Sequence, residues 1–387
     1  MNFFKEIRMK VFIQIYYILR MVTRVNNKRI LFEAYWGKSV SCNPKAMMDY
    51  MIENGYDDYE FIVVYNGEDK ISSDKIKYVN IRSINYLYYL CTSKYWVANT
   101  HIMGELKPKK NQVYMQTWHA AGAFKKFGLD IIQSKDDRDW EKLAWRKEAS
   151  NWDYLLCSSQ EVKDIYSSAF GVDKDIVYPI GIPRNDCFYD SEKISSIKED
   201  INLKIGNKDN KKIILYAPTF RDNREFKLMF DFEKLYEKIG SEYVILLKLH
   251  PNIMDDLINI DDKYSNFVFN FSSYGEMQEL LLAADLLITD YSSVIFDFSL
   301  TGNPIVLYSY DLDEYKNEIR GFYYEYESFV PGPIVKTENE LIKEIMNYEE
   351  LKSRNSKRVK EFAKKFNQRE EKSSSQLAVE LLLSSSK

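Results

Sequence analysis

The chain has 387 residues, of which 45% are hydrophobic and 29% charged, a balance typical of a folded globular protein with a large core. This length suggests two domains. The net charge of −4, from 54 basic and 58 acidic residues, provides no general attraction to nucleic acid, so we expect no nucleic-acid partner. Cys42, Cys91, Cys157 and Cys187 show no paired spacing, which indicates neither a disulfide framework nor a zinc site and fits a reducing compartment.

Residues 1–26 form the first predicted element, a basic amphipathic helix. Its apolar residues recur at steps of three and four: Phe4, Ile7, Val11, Ile15, Ile18 and Val22. The apolar run is shorter than the roughly 20 residues that span a bilayer, and no signal-peptide cleavage site follows it. We therefore expect the helix to lie on an anionic membrane surface. Packing of the apolar stripe against the protein's own core is the alternative.

Short apolar runs alternate with helical patterns along the rest of the chain, which predicts an α/β protein with parallel sheets. The predicted strands are Arg29–Ala34, Phe61–Tyr65, Tyr95–Ala98, Gln112–Gln116, Tyr154–Cys157, Ile176–Ile180, Lys212–Ala217, Tyr243–Leu247, Phe267–Phe271, Asp285–Thr289 and Pro304–Tyr308. We expect two Rossmann-like domains facing a central cleft, at residues 27–190 and 205–350. The polar segment Asp190–Lys211 is expected to be a linker, and residues 351–387 a closing C-terminal helix.

Two histidines are notable because each follows a predicted strand. His119 comes three residues after Gln116, together with Thr117, Gly122 and Lys125, and His250 comes three residues after Leu247. Open α/β sheets bind ligands at the carboxyl ends of their strands, and histidine is suited to proton transfer near neutral pH. Both histidines are therefore candidate catalytic residues, with a structural role at a strand end as the alternative for each.

Residues suited to binding phosphate follow other predicted strands. Ser292 and Ser293 come just after Asp290 and can cap a helix, whose free N–H groups attract anions. Thr219 and Arg221 follow the strand that ends at Ala217. An ordinary capped helix and a solvated arginine are the alternatives.

Two further basic residues are candidates, Lys248 for binding phosphate and Arg184 for the acceptor side or the cleft. Lys248 precedes His250, and Arg184 lies in the segment Gly181–Asp186, where a structural hinge is the alternative. The chain lacks a Walker loop, a dinucleotide-binding glycine motif, a nucleophile elbow and any cluster with metal-ligand spacing. We expect no metal and no cofactor. Cationic and hydroxyl groups of this kind suit an anionic pyrophosphate donor and a reaction that expels a nucleoside phosphate.

Five segments, in this order, resemble the CDP-glycerol glycerophosphotransferase family of teichoic-acid synthesis. They are Trp118–Gly122, Gly181–Asp186, Tyr216–Arg221, Leu247–Pro251 and Thr289–Ser293. Each motif is short, but their order over roughly residues 90–335 makes the resemblance specific. The chain departs from the family where many polymerases have Gly-Thr-Pro-Leu, because residues 120–123 read Ala-Ala-Gly-Ala. In this it is more similar to primase or early-step members.

The resemblance implies a GT-B-like fold, with an acceptor-side domain at 27–190 and a nucleotide-donor-binding domain at 205–350. It also implies peripheral attachment to the cytoplasmic face of the cell membrane. The implied reaction transfers glycerol phosphate from CDP-glycerol to a lipid-linked saccharide or polyol-phosphate acceptor and releases CMP. The family's two functional histidines correspond to His119, as general base, and His250, which would stabilise the pyrophosphate. Our donor-side candidates are Thr219, Arg221, Lys248, Asp290, Ser292 and Ser293, and our candidates for the acceptor side or the cleft are Thr117, Gly122, Lys125 and Arg184.

Three alternatives remain open. A GT-B glycosyltransferase would use the same fold with a nucleotide-sugar and release a nucleoside diphosphate. A ribitol-phosphate transferase would belong to the same family. A non-catalytic module that binds an anionic wall polymer is the third, although binding alone would not require a pair of histidines.

Overall fold

The computed structural model describes residues 3–68, 70, 74–131, 139–219, 228–249, 260–318 and 321–387. The chain divides into two compact units. Unit 1 comprises Met1–His119, Phe127–Asp186 and Gln368–Lys387, and unit 2 comprises Ala120–Lys126 and Cys187–Asn367. Each unit is built around one parallel sheet.

The strands among the described residues are β1 Asn26–Glu33, β2 Glu60–Val64, β3 Ile76–Val79, β4 Ser93–Ala98, β5 Val113–Gln116, β6 Tyr154–Cys157, β7 Val177–Pro179, β8 Lys212–Tyr216, β9 Tyr243–Leu247, β10 Val268–Asn270, β11 Leu286–Thr289, β12 Ile305–Tyr308 and β13 Ile334–Val335. Every strand predicted from the sequence is present, with its ends shifted by at most a few residues. Two strands, β3 and β13, were not predicted. β3 is short and only partly buried, and β13 has just two residues, so neither shows a strong apolar run.

The helices are α1 Phe3–Val22, α2 Cys42–Glu53, α3 Ile84–Thr92, α4 Asp139–Ala149, α5 Gln160–Phe170, α6 Ser191–Lys204, α7 Phe232–Ile239, α8 Met277–Ala283, α9 Val294–Phe298, α10 Leu312–Glu318, α11 Tyr326–Phe329, α12 Glu338–Met346, α13 Tyr348–Phe366 and α14 Ser374–Leu383. Two expectations need correction here. The expected linker Asp190–Lys211 is largely α6, because the Asp190 side chain caps the helix and Ile201 is fully buried. The expected single closing helix is two helices, α13 and α14.

The sheet of unit 1 has the strand order β3-β2-β1-β4-β5-β6-β7, and each neighbouring pair is parallel. The order reverses between β1 and β4, which makes their carboxyl ends the topological switch point, where open α/β sheets bind ligands. Ile30, Ile62 and Val97 are fully buried, as expected for a parallel sheet covered on both faces.

The C-terminal helix α14 completes the core of unit 1. Its buried residues Ala378, Val379 and Leu382 belong to the same apolar cluster as the methionines of α2. The carboxylate of Asp186 accepts hydrogen bonds from the backbone N–H groups of Ser374, at 2.9 Å, and Ser375, at 2.8 Å. A carboxylate at this position stabilises the first turn of a helix.

The sheet of unit 2 has the order β10-β9-β8-β11-β12-β13, again with parallel pairs. Its order reverses between β8 and β11, so the switch point of this unit lies where those two strands end. Both strands are buried, and α7, α12 and α13 contribute apolar side chains to the cluster that covers one face of the sheet.

Candidate functional site

His119 lies at the switch point of unit 1, in the loop that follows β5. Its Nδ1 is 2.9 Å from the backbone oxygen of Asn99, in the loop after β4. Since a carbonyl oxygen only accepts hydrogen bonds, Nδ1 carries the hydrogen and Nε2 is the basic nitrogen. The Asn99 side chain accepts from the backbone N–H of Tyr35, after β1, at 2.9 Å. The loops after three neighbouring strands therefore meet around this histidine.

The surroundings of His119 favour its neutral form. Protein atoms crowd the half-buried ring, and this desolvation lowers its pKa to about 4. The hydrogen bond to Asn99 acts in the opposite direction, whereas the positive charge of Arg184 lowers the pKa further. At neutral pH, His119 can accept a proton, but it holds that proton weakly.

Arg184 holds the loop that carries His119. Its Nη1 donates to the backbone oxygen of His119 at 2.6 Å and to Sγ of Cys42 at 3.2 Å. The Asn43 side chain links the same two segments, because it accepts from the Arg184 backbone N–H at 3.1 Å and donates to the Trp118 oxygen at 2.9 Å. Arg184, an acceptor-side candidate from the sequence, thus lies in the same unit as His119 and contacts its main chain.

Strained backbone concentrates around this histidine. Of the six non-glycine residues with positive φ in the described ranges, four lie in the loop after β1, at the start of α2 or in the loop after β5. They are Tyr35 at 48°, Trp36 at 56°, Cys42 at 63° and Trp118 at 51°. Such conformations cost free energy and cluster at functional sites.

The other acceptor-side candidates divide between the units. Thr117 is buried in unit 1, where its hydroxyl donates to the Ala98 oxygen at 3.2 Å and ties the loop to the sheet. Gly122 and Lys125 belong to unit 2. A Cβ at Gly122 would lie 2.6 Å from the ring of Phe296, and Lys125 forms a backbone bridge with Phe322.

His101 was not predicted as a site residue from the sequence, although it too follows a strand end, three residues after Ala98. Its Nδ1 contacts Oε2 of Glu148, a residue of α4. Its ring lies edge-on to Trp118, with 5.5 Å between centroids, and stacks on Trp145 at 6.4 Å. The position after a strand was the signal that could have identified it.

In unit 2, Asp290 joins the two strand ends of the switch point. Its Oδ1 accepts from the backbone N–H of Thr219, at 2.8 Å, and of Tyr291, at 2.6 Å. The Thr289 hydroxyl donates to the Ala217 oxygen at 2.6 Å. The structure thus brings together Thr219 and Asp290, two of the donor-side candidates, and fixes the paths of the loops after β8 and β11.

Ser292 and Ser293 precede α9 directly. The hydroxyl of Ser292 accepts from the backbone N–H of Val294 at 3.3 Å, and Ser293 occupies the N-cap position without a side-chain cap bond. Both side chains are half-buried. They stand beside Asp290, at the start of a helix that is five residues long.

Lys248 is held by backbone carbonyls. Its Nζ donates to the oxygens of Ser272, at 2.9 Å, and Tyr274, at 2.5 Å. Burial lowers the pKa of this ammonium to about 8. The contacts support the loop after β10. The remaining donor-side candidates, Arg221 and His250, lie outside the described residues.

Known proteins resemble the chain over nearly its whole length. Residues 15–384 match the family described as CDP-glycerol:poly(glycerophosphate) glycerophosphotransferase. A teichoic acid poly(glycerol phosphate) polymerase of Bacillus spizizenii is 34% identical over 98% of this chain and 98% of its own. A teichoic acid poly(ribitol-phosphate) polymerase of the same organism is 33% identical over 91% of this chain and 56% of its own.

One of the similar solved structures is a variant of the wall teichoic acid polymerase TagF soaked with CDPG. It has a TM-score of 0.89 and 30% identity, and the match covers 98% of this chain and 94% of that one. This likeness confirms the predicted GT-B-like α/β fold class with two parallel sheets. The chain is therefore a transferase and belongs to the CDP-glycerol:poly(glycerophosphate) glycerophosphotransferase family.

Proposed function

We propose that this protein transfers glycerol phosphate from CDP-glycerol to a hydroxyl of a membrane-linked teichoic-acid precursor and releases CMP. The observation that carries the proposal is that segments resembling the family lie at the switch points: Trp118–Gly122 begins at one, and Tyr216–Thr219 and Thr289–Ser293 meet at the other. Sites at switch points are where open α/β sheets bind their ligands. CDPG in the solved relative and the family description support the choice of donor.

In the proposed reaction, His119 acts as general base. The acceptor hydroxyl oxygen forms a bond to the β-phosphorus of the donor, and the bond from that phosphorus to CMP breaks. CMP leaves with the electron pair, while the hydroxyl proton moves to Nε2 of His119. The bond from Nδ1 to Asn99 supports this role, because it leaves Nε2 without a hydrogen. General base catalysis contributes about 10²–10⁴-fold in rate.

Unit 2 binds the donor in this proposal. The loops that Asp290 holds present the half-buried side chains of Thr219, Ser292 and Ser293 at the strand ends. His250 and Arg221 would add donors and positive charge that stabilise the phosphates and the departing CMP. Lys248 contributes indirectly, since its ammonium supports the neighbouring loop after β10.

Helix α1 is the proposed contact with an anionic membrane surface. One side of the helix packs on unit 1, where Tyr16 is fully buried and its hydroxyl donates to the Lys107 oxygen at 2.6 Å. Most of the apolar stripe lies on the exposed side: Phe4, Ile7, Val11, Ile18 and Val22. No helix in the described ranges is both long enough and apolar enough to cross a bilayer. An exposed apolar face with neighbouring basic residues favours binding at the surface.

The test is incubation with CDP-glycerol, CDP-ribitol or a nucleotide-sugar, in each case with a lipid-linked disaccharide analogue. Mass spectrometry of both products identifies the transferred group and the leaving group. We expect CMP and an acceptor that has gained glycerol phosphate. Transfer from CDP-ribitol alone would instead favour the activity of the ribitol-phosphate relative. Release of a nucleoside diphosphate from a nucleotide-sugar would show a glycosyltransferase and refute the proposal.

A further inference from the structure

We propose that His101 and Glu148 form a proton-accepting pair beside His119, and that the acceptor's proton passes from Nε2 of His119 to Nε2 of His101. This inference rests on the proposed function, in which His119 first takes that proton. The pair lies wholly in unit 1, and no motif of the sequence analysis includes either residue.

The carboxylate of Glu148 is fixed by several donors. The side chain is almost completely buried, and its Oε1 accepts from the Ile102 backbone N–H at 3.1 Å. The Tyr114 hydroxyl and Trp152 Nε1 donate to the same oxygen, each at 3.3 Å. Oε2 faces Nδ1 of His101. Because a carboxylate accepts, Nδ1 of His101 carries a hydrogen and the lone pair lies on Nε2.

The imidazole ring of His101 is held in one orientation but remains accessible. It stacks on Trp145 and meets Trp118 edge-on, while its backbone oxygen accepts from Trp36 Nε1 at 3.0 Å. The side chain keeps 30% of its surface exposed. A carboxylate that orients a histidine, and balances the charge of its imidazolium, is the arrangement that activates general bases in hydrolases.

Such a partner would help His119, because His119 holds the proton only weakly. Burial disfavours its imidazolium, whereas Glu148 provides a negative charge directly beside the imidazolium of His101. Trp118 contacts both rings, with centroids 4.1 Å from His119 and 5.5 Å from His101. In the proposed step, His119 loses one proton, a bridging water transfers it, and His101 gains one. His119 then returns to its neutral form, and His101 releases the proton to solvent.

The test compares His101→Ala and Glu148→Gln with the wild type by measuring CMP release from CDP-glycerol. We expect His101→Ala to lower kcat about 10- to 100-fold, with KM for CDP-glycerol changed less than about twofold, and added imidazole to restore much of kcat. A glutamine at 148 would donate to Nδ1 and place the hydrogen of His101 on Nε2, so kcat should also fall. Lys147→Ala is the matched control: it breaks the neighbouring exposed ion pair with Glu105 and leaves His101 untouched.

Two results would overturn the pair. The first is a normal kcat in a folded His101→Ala or Glu148→Gln protein. The second is a loss in His101→Ala that imidazole does not reduce although the melting temperature is unchanged. If His119→Ala loses activity but His101→Ala keeps it, the pair is refuted and the proposed function is not. Wild-type protein that releases no CMP would refute the proposed function. In that case ¹⁵N NMR of labelled histidine tests the pair separately. A hydrogen on Nδ1 of His101 supports the pair, and a hydrogen on Nε2 refutes it.

Discussion

The guanidinium of Arg184 donates to the backbone oxygen of His119 over 2.6 Å, across 65 positions of sequence. This bond joins two of the segments that resemble the family, the one around the histidine and the one that begins at Gly181. It also stabilises a loop in which Trp118 has a positive φ of 51°. The arginine thus holds the main chain of the proposed base, which is one physical reason for the two segments to occur together.

We predict that His119→Ala and His250→Ala each lower turnover by at least about 10²-fold while the protein stays folded. His119 lies at a switch point with Nε2 as its basic nitrogen, and His250 follows β9 in unit 2, the unit proposed to bind the donor. The measurement is steady-state release of CMP, with melting temperatures to confirm folding. Near-normal turnover in either variant would show that its assigned role is wrong.

The pKa of His119 predicts how the stability of the protein depends on pH. Burial lowers this pKa from 6.5 to about 4, so between these values the unfolded chain binds a proton that the folded protein does not. His119 therefore contributes stability above pH 6.5 that is lost as the pH falls towards 4. His119→Gln removes this contribution. We expect its free energy of unfolding, measured in urea, to fall less than that of the wild type between pH 7 and pH 4, and parallel curves would contradict the assignment.

Two glycines provide a matched pair for packing in unit 2. A methyl group on Gly122 would lie 2.6 Å from the Phe296 ring, whereas nothing lies within 4 Å of a Cβ at Gly275. We expect Gly122→Ala to lower the free energy of unfolding by about 1–3 kcal/mol, the usual cost of overpacking. Gly275→Ala should change it by about 0.5 kcal/mol or less. Denaturant titration measures both, and equal effects would show that Phe296 can move aside.

Asp290 should stabilise unit 2, because its Oδ1 accepts hydrogen bonds from the backbone N–H groups of Thr219 and Tyr291. Asp290→Ala leaves both donors without this acceptor, and an unsatisfied buried donor costs about 1–3 kcal/mol. We therefore expect a large loss of stability and a higher KM for CDP-glycerol. Asp290→Asn keeps an acceptor oxygen of the same shape and should lose clearly less. If both variants are as stable as the wild type by urea titration, the side chain of Asp290 is not what holds the two loops together.

The features that the sequence predicted are local ones. Buried strands such as β9 are continuous apolar runs, and His119 became a candidate because it follows a predicted strand. Contacts between distant segments left no such signal. Glu148 lies 47 positions from His101, so nothing in the local pattern connects them. The segment Asp190–Lys211 was expected to be a linker because most of its residues are polar. It is largely the helix α6, which exposes most of its residues.

The last prediction concerns the exposed stripe of α1. Val11 and Ile18 are 52% and 55% exposed, while the opposite side of the helix is anchored by Tyr16 and Arg20. Changing both exposed residues to glutamine should leave the protein folded, since neither packs in the core. Burying one such side chain in an apolar phase is worth about 1.5–3 kcal/mol. We therefore expect sedimentation with anionic vesicles at low salt to weaken about tenfold or more.

The matched control is Leu203→Gln, which removes an apolar side chain that is 74% exposed on α6 and should leave vesicle binding unchanged. Raising the salt concentration should weaken binding of the wild type, because basic residues of the helix contribute about 1 kcal/mol each at an anionic surface and salt screens them. The double variant should also lose rate on a membrane-bound acceptor more than on a soluble analogue. If it sediments like the wild type and keeps both rates, the stripe does not contact the membrane, and α1 only covers α3 and the loop that contains Lys107.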